Sequence, residues 1–131
     1  MLHAGVVDDV LRAAMEPVLR DLSRAGIAPP RIDDRHWTDD PDSPSVMLWS
    51  PDGSGTGAYV SRPAPEGERI AMVADQMQEW VIEELWATTA TNWPRCPRHP
   101  DSHPMKVSTR AATAVWTCPA DEVVISIIGE L

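Results

Sequence analysis

Apolar residues recur at three- and four-residue steps near the start of the chain: Val7, Val10, Leu11, Ala14, Met15, Val18, Leu19 and Leu22. On a helix these positions form one stripe, so the pattern predicts an amphipathic helix over residues 4–25. Pro17 lies inside it. Its ring removes a backbone donor and crowds the preceding turn, which predicts a kink near Met15 and Glu16 or a break into two pieces. Gly26, then Pro29 and Pro30, end the element. A second helical period runs through residues 68–90, with Ile70, Val73, Met77, Trp80, Val81 and Leu85 on the dry side and Glu79, Glu83 and Glu84 on the wet side. No Gly or Pro interrupts it.

Between the helices the pattern changes to that of short strands. Residues 31–37, 45–50 and 57–61 are candidates, and Pro51-Asp52-Gly53-Ser54-Gly55-Thr56 supplies a dense turn between the last two. Residues 38–43 form an acidic turn. After the second helix, residues 92–104 read as a proline-punctuated loop. Residues 105–108 and 112–117 can pair as a hairpin, and residues 122–128 (EVVISII) are strongly β-forming. The expected fold is α+β: two long helices packed on a small antiparallel sheet, with a C-terminal zinc-stabilised β module. The division expected is 1–90 for the body and 91–131 for the module, with one compact domain as the alternative. The core should draw on Val10, Leu11, Val18, Leu19, Leu22, Met47, Trp49, Tyr59, Val73, Met77, Trp80, Val81, Leu85, Trp116, Val123 and Ile125. Trp86 is expected as a further core or interface anchor.

Charge narrows the function classes. The net charge of −9 lies entirely within residues 1–90, and the rest of the chain carries as many acids as bases. An acidic body repels phosphate backbones and disfavours nucleic-acid binding. Arg95, Arg98, Lys106 and Arg110 give the C-terminal part a possible basic patch, best read as solvated side chains. No segment has the ~18 apolar residues of a membrane span, and residues 1–10 lack the basic start and apolar run of a signal peptide. The expected compartment is the cytoplasm. There, two cysteines with histidines between them indicate metal binding more than a disulfide.

The chemistry sits in that C-terminal part. Both cysteines and two of the histidines read C-x2-H-x3-H-x14-C: Cys96, His99, His103 and Cys118. Thiolate and imidazole ligands at this spacing suit a tetrahedral zinc ion. Two thiolates and two neutral imidazoles balance the charge of Zn²⁺. Asp121, the competing fourth ligand, would leave the site at −1, which a buried site tolerates less well. Proline after each Cys and His stiffens the loop and lowers the entropy cost of closing it.

The two turns Cys96-Pro97-Arg98-His99 and Cys118-Pro119-Ala120-Asp121 echo each other. Over residues 93–128 the chain resembles the zinc ribbons, whose ligands lie on two Cys-Pro-x-Cys turns that each close a β-hairpin. The resemblance implies a structural zinc held by two such turns. His99 and Asp121 stand where the ribbon pattern has its second cysteines, so the fourth ligand is open between His103 and Asp121.

Competing motifs fail. There is no His-x-Glu of the zinc deaminases and no His-Glu-x-x-His of the metalloproteases. Gly53-Ser54-Gly55-Thr56-Gly57 lacks the lysine ending of a phosphate loop, and the aspartates at 33, 34, 39, 40 and 42 lack calcium-loop spacing. The function expected is that of a small cytosolic accessory or protein-interaction protein with a structural zinc and no catalysis. Its partner is expected to be another protein. Two alternatives stand beside it: a zinc-dependent hydrolase with an open coordination position, and nucleic-acid binding through the zinc module.

Overall fold

The computed structural model describes residues 7–87 and 92–131. The elements run α1 (Asp9–Arg24), β1 (Arg31–Asp33), β2 (Ser45–Trp49), β3 (Gly55–Tyr59), α2 (Glu66–Trp86), β4 (Lys106–Arg110), β5 (Thr113–Thr117) and β6 (Val124–Ile127). The class is α+β, with two antiparallel three-stranded sheets, β1-β2-β3 and β4-β5-β6, where one was expected in the body. Helix α2 is common to both, touching β3 on one side and β4 and β5 on the other, and α1 packs along α2. No helix among the described residues is long and apolar enough to cross a membrane. The division expected at residue 90, the end of the expected second helix and the start of the expected first helix at residues 4–6 all lie outside the described residues.

Asp8 starts α1. Its carboxylate accepts from the backbone N–H of Val10 at 2.9 Å and of Leu11 at 3.4 Å, filling two of the donors a helix start leaves unpaired. The Arg62 guanidinium, 2.9 Å away, binds the other oxygen and, with these amides, holds the Asp8 carboxyl below its usual range. Helix α1 runs unbroken through Pro17. Of the two outcomes expected at Pro17, a kink or a break, the break does not form, because Leu11, Ala14, Met15, Val18 and Leu22 are all buried on one face and hold the helix from both sides of the proline.

Sheet β1-β2-β3 turns the opposite face to the core from the one expected. Strand residues alternate sides, so the choice of face decides all of them together. Val46, Leu48, Ala58 and Val60 are fully buried. Met47 and Trp49 lie half-buried on the outer face, and Tyr59 is exposed there. Glycine explains the choice. A Cβ on Gly55 would stand 2.5 Å from the Trp49 ring, and one on Gly57 would stand 2.7 Å from the Trp37 ring. The indoles lie flat on a strand that has no side chains there. Trp37 sits in a turn beyond β1, which ends at Asp33, and its Nε1 donates to the Val46 carbonyl at 2.9 Å. One further core expectation fails: Val123 is 43% exposed beside the β5–β6 turn. Trp86, expected as a core or interface anchor, is 60% exposed at the end of α2 and so lies outside the core. Val10, Leu19, Leu85 and Ile125 pack half-buried against the core.

Two buried polar side chains join the parts. Asp21 of α1 is fully buried. It accepts from the Trp116 indole N–H at 2.9 Å and from the backbone N–H of Gly129 at 2.7 Å and Leu131 at 3.0 Å. Arg20 and Arg24 donate to the carbonyls of the same terminal segment. Gln78 of α2 donates to the carbonyls of Trp93 and Met105, the two stems of the loop that carries Cys96.

The β4–β5 turn has an unusual composition. Ala111 and Ala112 both have left-handed φ, 50° and 67°, between the paired Arg110 and Thr113. Asn-Gly is the preferred occupant of such a turn. The Ala112 carbonyl lies against Gly67 of α2, where an added Cβ would come within 2.0 Å of it.

Three outcomes follow for urea denaturation. Asp21→Asn, which leaves one acceptor oxygen for three donors, should cost roughly 3 kcal/mol. Replacing Ala111 and Ala112 by Asn and Gly should raise stability by about 1 kcal/mol, whereas Gly67→Ala should lower it by about 2 kcal/mol.

Candidate metal centre

Two short loops meet at one end of the second sheet. The first spans residues 95–104. It is closed by a β-bridge between Arg95 and Pro104 and by the Met105 N–H on the Pro94 carbonyl at 2.8 Å. Inside it, the His99 N–H returns to the Cys96 carbonyl at 3.0 Å, and the Ser102 N–H to that of His99 at 3.2 Å. These are tight turns of the kind Pro97 and Pro100 favour. The second loop joins β5 to β6. There the Cys118 N–H donates to Val123 O, and the Glu122 N–H donates back to Cys118 O at 2.7 Å. Glu122 takes a left-handed φ of 61° to close it.

The donor atoms of Cys96, His99 and Cys118 lie within 4.8 Å of one another, and this is the one such group of three or more among the described residues. His99 Nδ1 stands 3.4 Å from Cys118 Sγ and 3.9 Å from Cys96 Sγ. Both cysteines are buried and unbridged. Trp93 and Trp116 pack edge to face beneath them, with centroids 5.4 Å apart. Burial, with the Asp121 and Cys96 side chains, holds the Cys118 thiol above its usual range, and the N–H groups of Asp121 and Ala120 at its sulfur offset part of this. Amides aimed at a sulfur stabilise a thiolate, the form that binds metal.

His103 lies beside this group, its ring centroid 5.2 Å from that of His99. Its Nδ1 is the one buried side-chain nitrogen or oxygen among the described residues with no hydrogen-bond partner. Asp121 is occupied otherwise. Its carboxylate accepts from Val123 N at 3.2 Å and from Arg98 Nε at 2.9 Å, contacts that, with the Cys118 thiol, hold it below the usual carboxylate range.

Of the basic residues in this part, Arg98 pairs with Asp121, and Lys106 and Arg110 both reach Glu122, at 3.6 and 3.9 Å. Asp33 and Asp34 are engaged separately: Asp33 pairs with Arg35, and Asp34 lies 3.7 Å from His36. Gly53 and Ser54 belong to the β2–β3 turn, where Asp52 caps Ser54, and Gly55 and Gly57 lie in β3. Sequence reasoning missed the supports, Asp21 and Gln78. Each had a signal, a polar residue on the apolar stripe of its helix.

Matched against protein-family models, curated proteins and solved structures, the chain finds no counterpart. The site is therefore read from its own chemistry. Two sulfurs and an imidazole suit zinc, copper or iron.

The Arg98–Asp121 pair bridges the two loops at the surface, half exposed. Exposed pairs contribute little, so Arg98→Ala should cost at most about 1 kcal/mol in urea denaturation. Cys118→Ser should abolish the cooperative unfolding of residues 92–131 as followed by hydrogen exchange.

Proposed function

We propose that this is a small accessory or protein-interaction protein with no catalytic activity, whose second sheet is held by one structural zinc ion on Cys96, His99, His103 and Cys118. The observation that carries the reading is the buried, unpartnered Nδ1 of His103 beside three converged donors. Buried polar nitrogens are rarely left unpaired, and a metal ligand removes the cost. Two sulfurs and two nitrogens favour tetrahedral zinc over copper or iron, and the set is neutral with the ion bound. In this reading His99 binds between the sulfurs, and His103 closes the fourth position against water. The ion ties the 95–104 loop to the β5–β6 turn, above the Trp93–Trp116 pair. The free state of both thiols fits a reducing compartment, such as the cytoplasm.

The three converged donors alone would also suit an open, hydrolytic site; it is His103 as fourth ligand that would leave no position for a reactive water. Two carboxylates, Asp121 on Arg98 and Glu122 on both Lys106 and Arg110, offset two of the four positive charges at this end, which weakens the case for nucleic-acid binding through it.

Purified untagged protein should carry one zinc per chain by elemental analysis, and His103→Ala should lose it to a competing chelator far sooner than Asp121→Ala. The reverse order would assign the fourth position to aspartate. Cobalt-substituted protein should show a four-coordinate spectrum that azide leaves unchanged. A shift on adding azide would reveal an open position and favour the hydrolase.

A further inference from the structure

Strand β3 is an edge of its sheet, and it is only partly closed. Tyr59 turns its N–H and C=O away from β2. Both are taken by the side-chain amide of Gln76 on α2, which accepts from the N–H at 3.0 Å and donates to the C=O at 2.7 Å. A glutamine thus stands where a fourth strand would pair. Residues two apart in a strand point their backbone groups the same way. Gly57 and Gly55, opposite Met47 and Trp49 in the register, therefore turn theirs to the same open side. Among the described residues no hydrogen bond reaches either glycine from that side, and neither has a side chain to shield it.

The outer face beside this edge is aromatic. Along β3 the Trp49 ring covers Gly55, the Trp37 ring covers Gly57, and Tyr59 follows, edge-on to Trp37 with centroids 5.8 Å apart. The three rings repeat at the two-residue spacing of a strand. Trp49 already carries cations: the guanidinium carbons of Arg31 and Arg35 lie 5.7 and 5.8 Å from its centroid. Trp37 is 45% exposed and carries none among the described residues. On α2, next to Gln76, the exposed acids Asp75, Glu79 and Glu83 form a stripe at four-residue spacing with no ion pair among the described residues.

We propose that the β3 edge at Gly55 to Gly57 takes up an extended segment of a partner protein, carrying Arg or Lys at alternate positions, as a fourth strand. Backbone pairing to the glycines holds the segment. A cationic side chain lies over Trp37 beside Tyr59, repeating the contact that Arg31 and Arg35 make on Trp49, and the acidic stripe of α2 draws in the rest of the positive charge. The proposal rests on the interaction role given above but not on the zinc ion. Its failure would leave the metal content and cobalt spectrum untouched, whereas absence of zinc would leave this edge as it is.

The test uses the full chain and a fluorescein-labelled Arg-Thr-Arg-Thr-Arg-Thr peptide. Anisotropy should report saturable binding, and exchange of the Gly55 and Gly57 amides should slow at least about tenfold, while that of Thr56, already paired to β2, stays constant. Methylating alternate backbone nitrogens of the peptide, which keeps its charge and removes the pairing donors, should abolish binding. Trp37→Ala should weaken it at least about fivefold. Equal binding of the methylated peptide, equal binding of a Glu-Thr counterpart, or none at millimolar peptide would overturn the proposal. So would a dimer by sedimentation whose Gly55 and Gly57 amides are protected without peptide, which would assign the edge to a second copy of the chain.

Discussion

One buried carboxylate connects the parts of this molecule. Asp21 leaves α1 on its dry face and receives three N–H donors from residues about a hundred positions later, one of them the indole of Trp116. A charge placed in a core is tolerated only when its oxygens are fully used. Here that requirement sets where the second sheet must lie. Trp116 is two residues before Cys118 and packs on Trp93, three residues before Cys96. The position of both loops of the candidate metal centre is thus referred, through two indole rings, to a single side chain of the first helix.

Gln78 adds the second reference. By donating to Trp93 O and Met105 O it fixes both stems of the loop that holds Cys96 and His99. With α1 and α2 each holding one component, the donors converge on a rigid support. A structural ion has this need in common with a catalytic one: its ligands must arrive in place without large entropy cost.

Much of this was legible in the chain. The two helices were written in the three- and four-residue spacing of their apolar positions, and the β2–β3 turn in its glycines and Asp52. The grouping of Cys96, His99 and Cys118 followed from their spacing. The face of the first sheet was not legible, because Val46 and Leu48 alternate with Met47 and Trp49 and both sets are apolar. Glycines at 55 and 57 decided it, by leaving room for indoles from other segments, and that is a tertiary fact. Pro17 predicted a kink or a break, and burial of its neighbours overrode the break. Asp21 and Gln78 were visible only as polar residues on an apolar stripe, and their partners lie far away in sequence.

The turn at Ala111 and Ala112 bears on the order in which the chain folds. A hairpin usually begins at its turn, and a strong turn sequence lets the two strands close before anything else is in place. Two alanines held in left-handed conformation offer no such start. Strands β4 and β5 therefore depend on a surface to assemble against, and the surface present is the first turn of α2, where Gly67 receives the Ala112 carbonyl. What the turn does not supply, the docked helix does. Since β5 ends one residue before Cys118, the strand that delivers this cysteine rests on the contact between Gly67 and the turn.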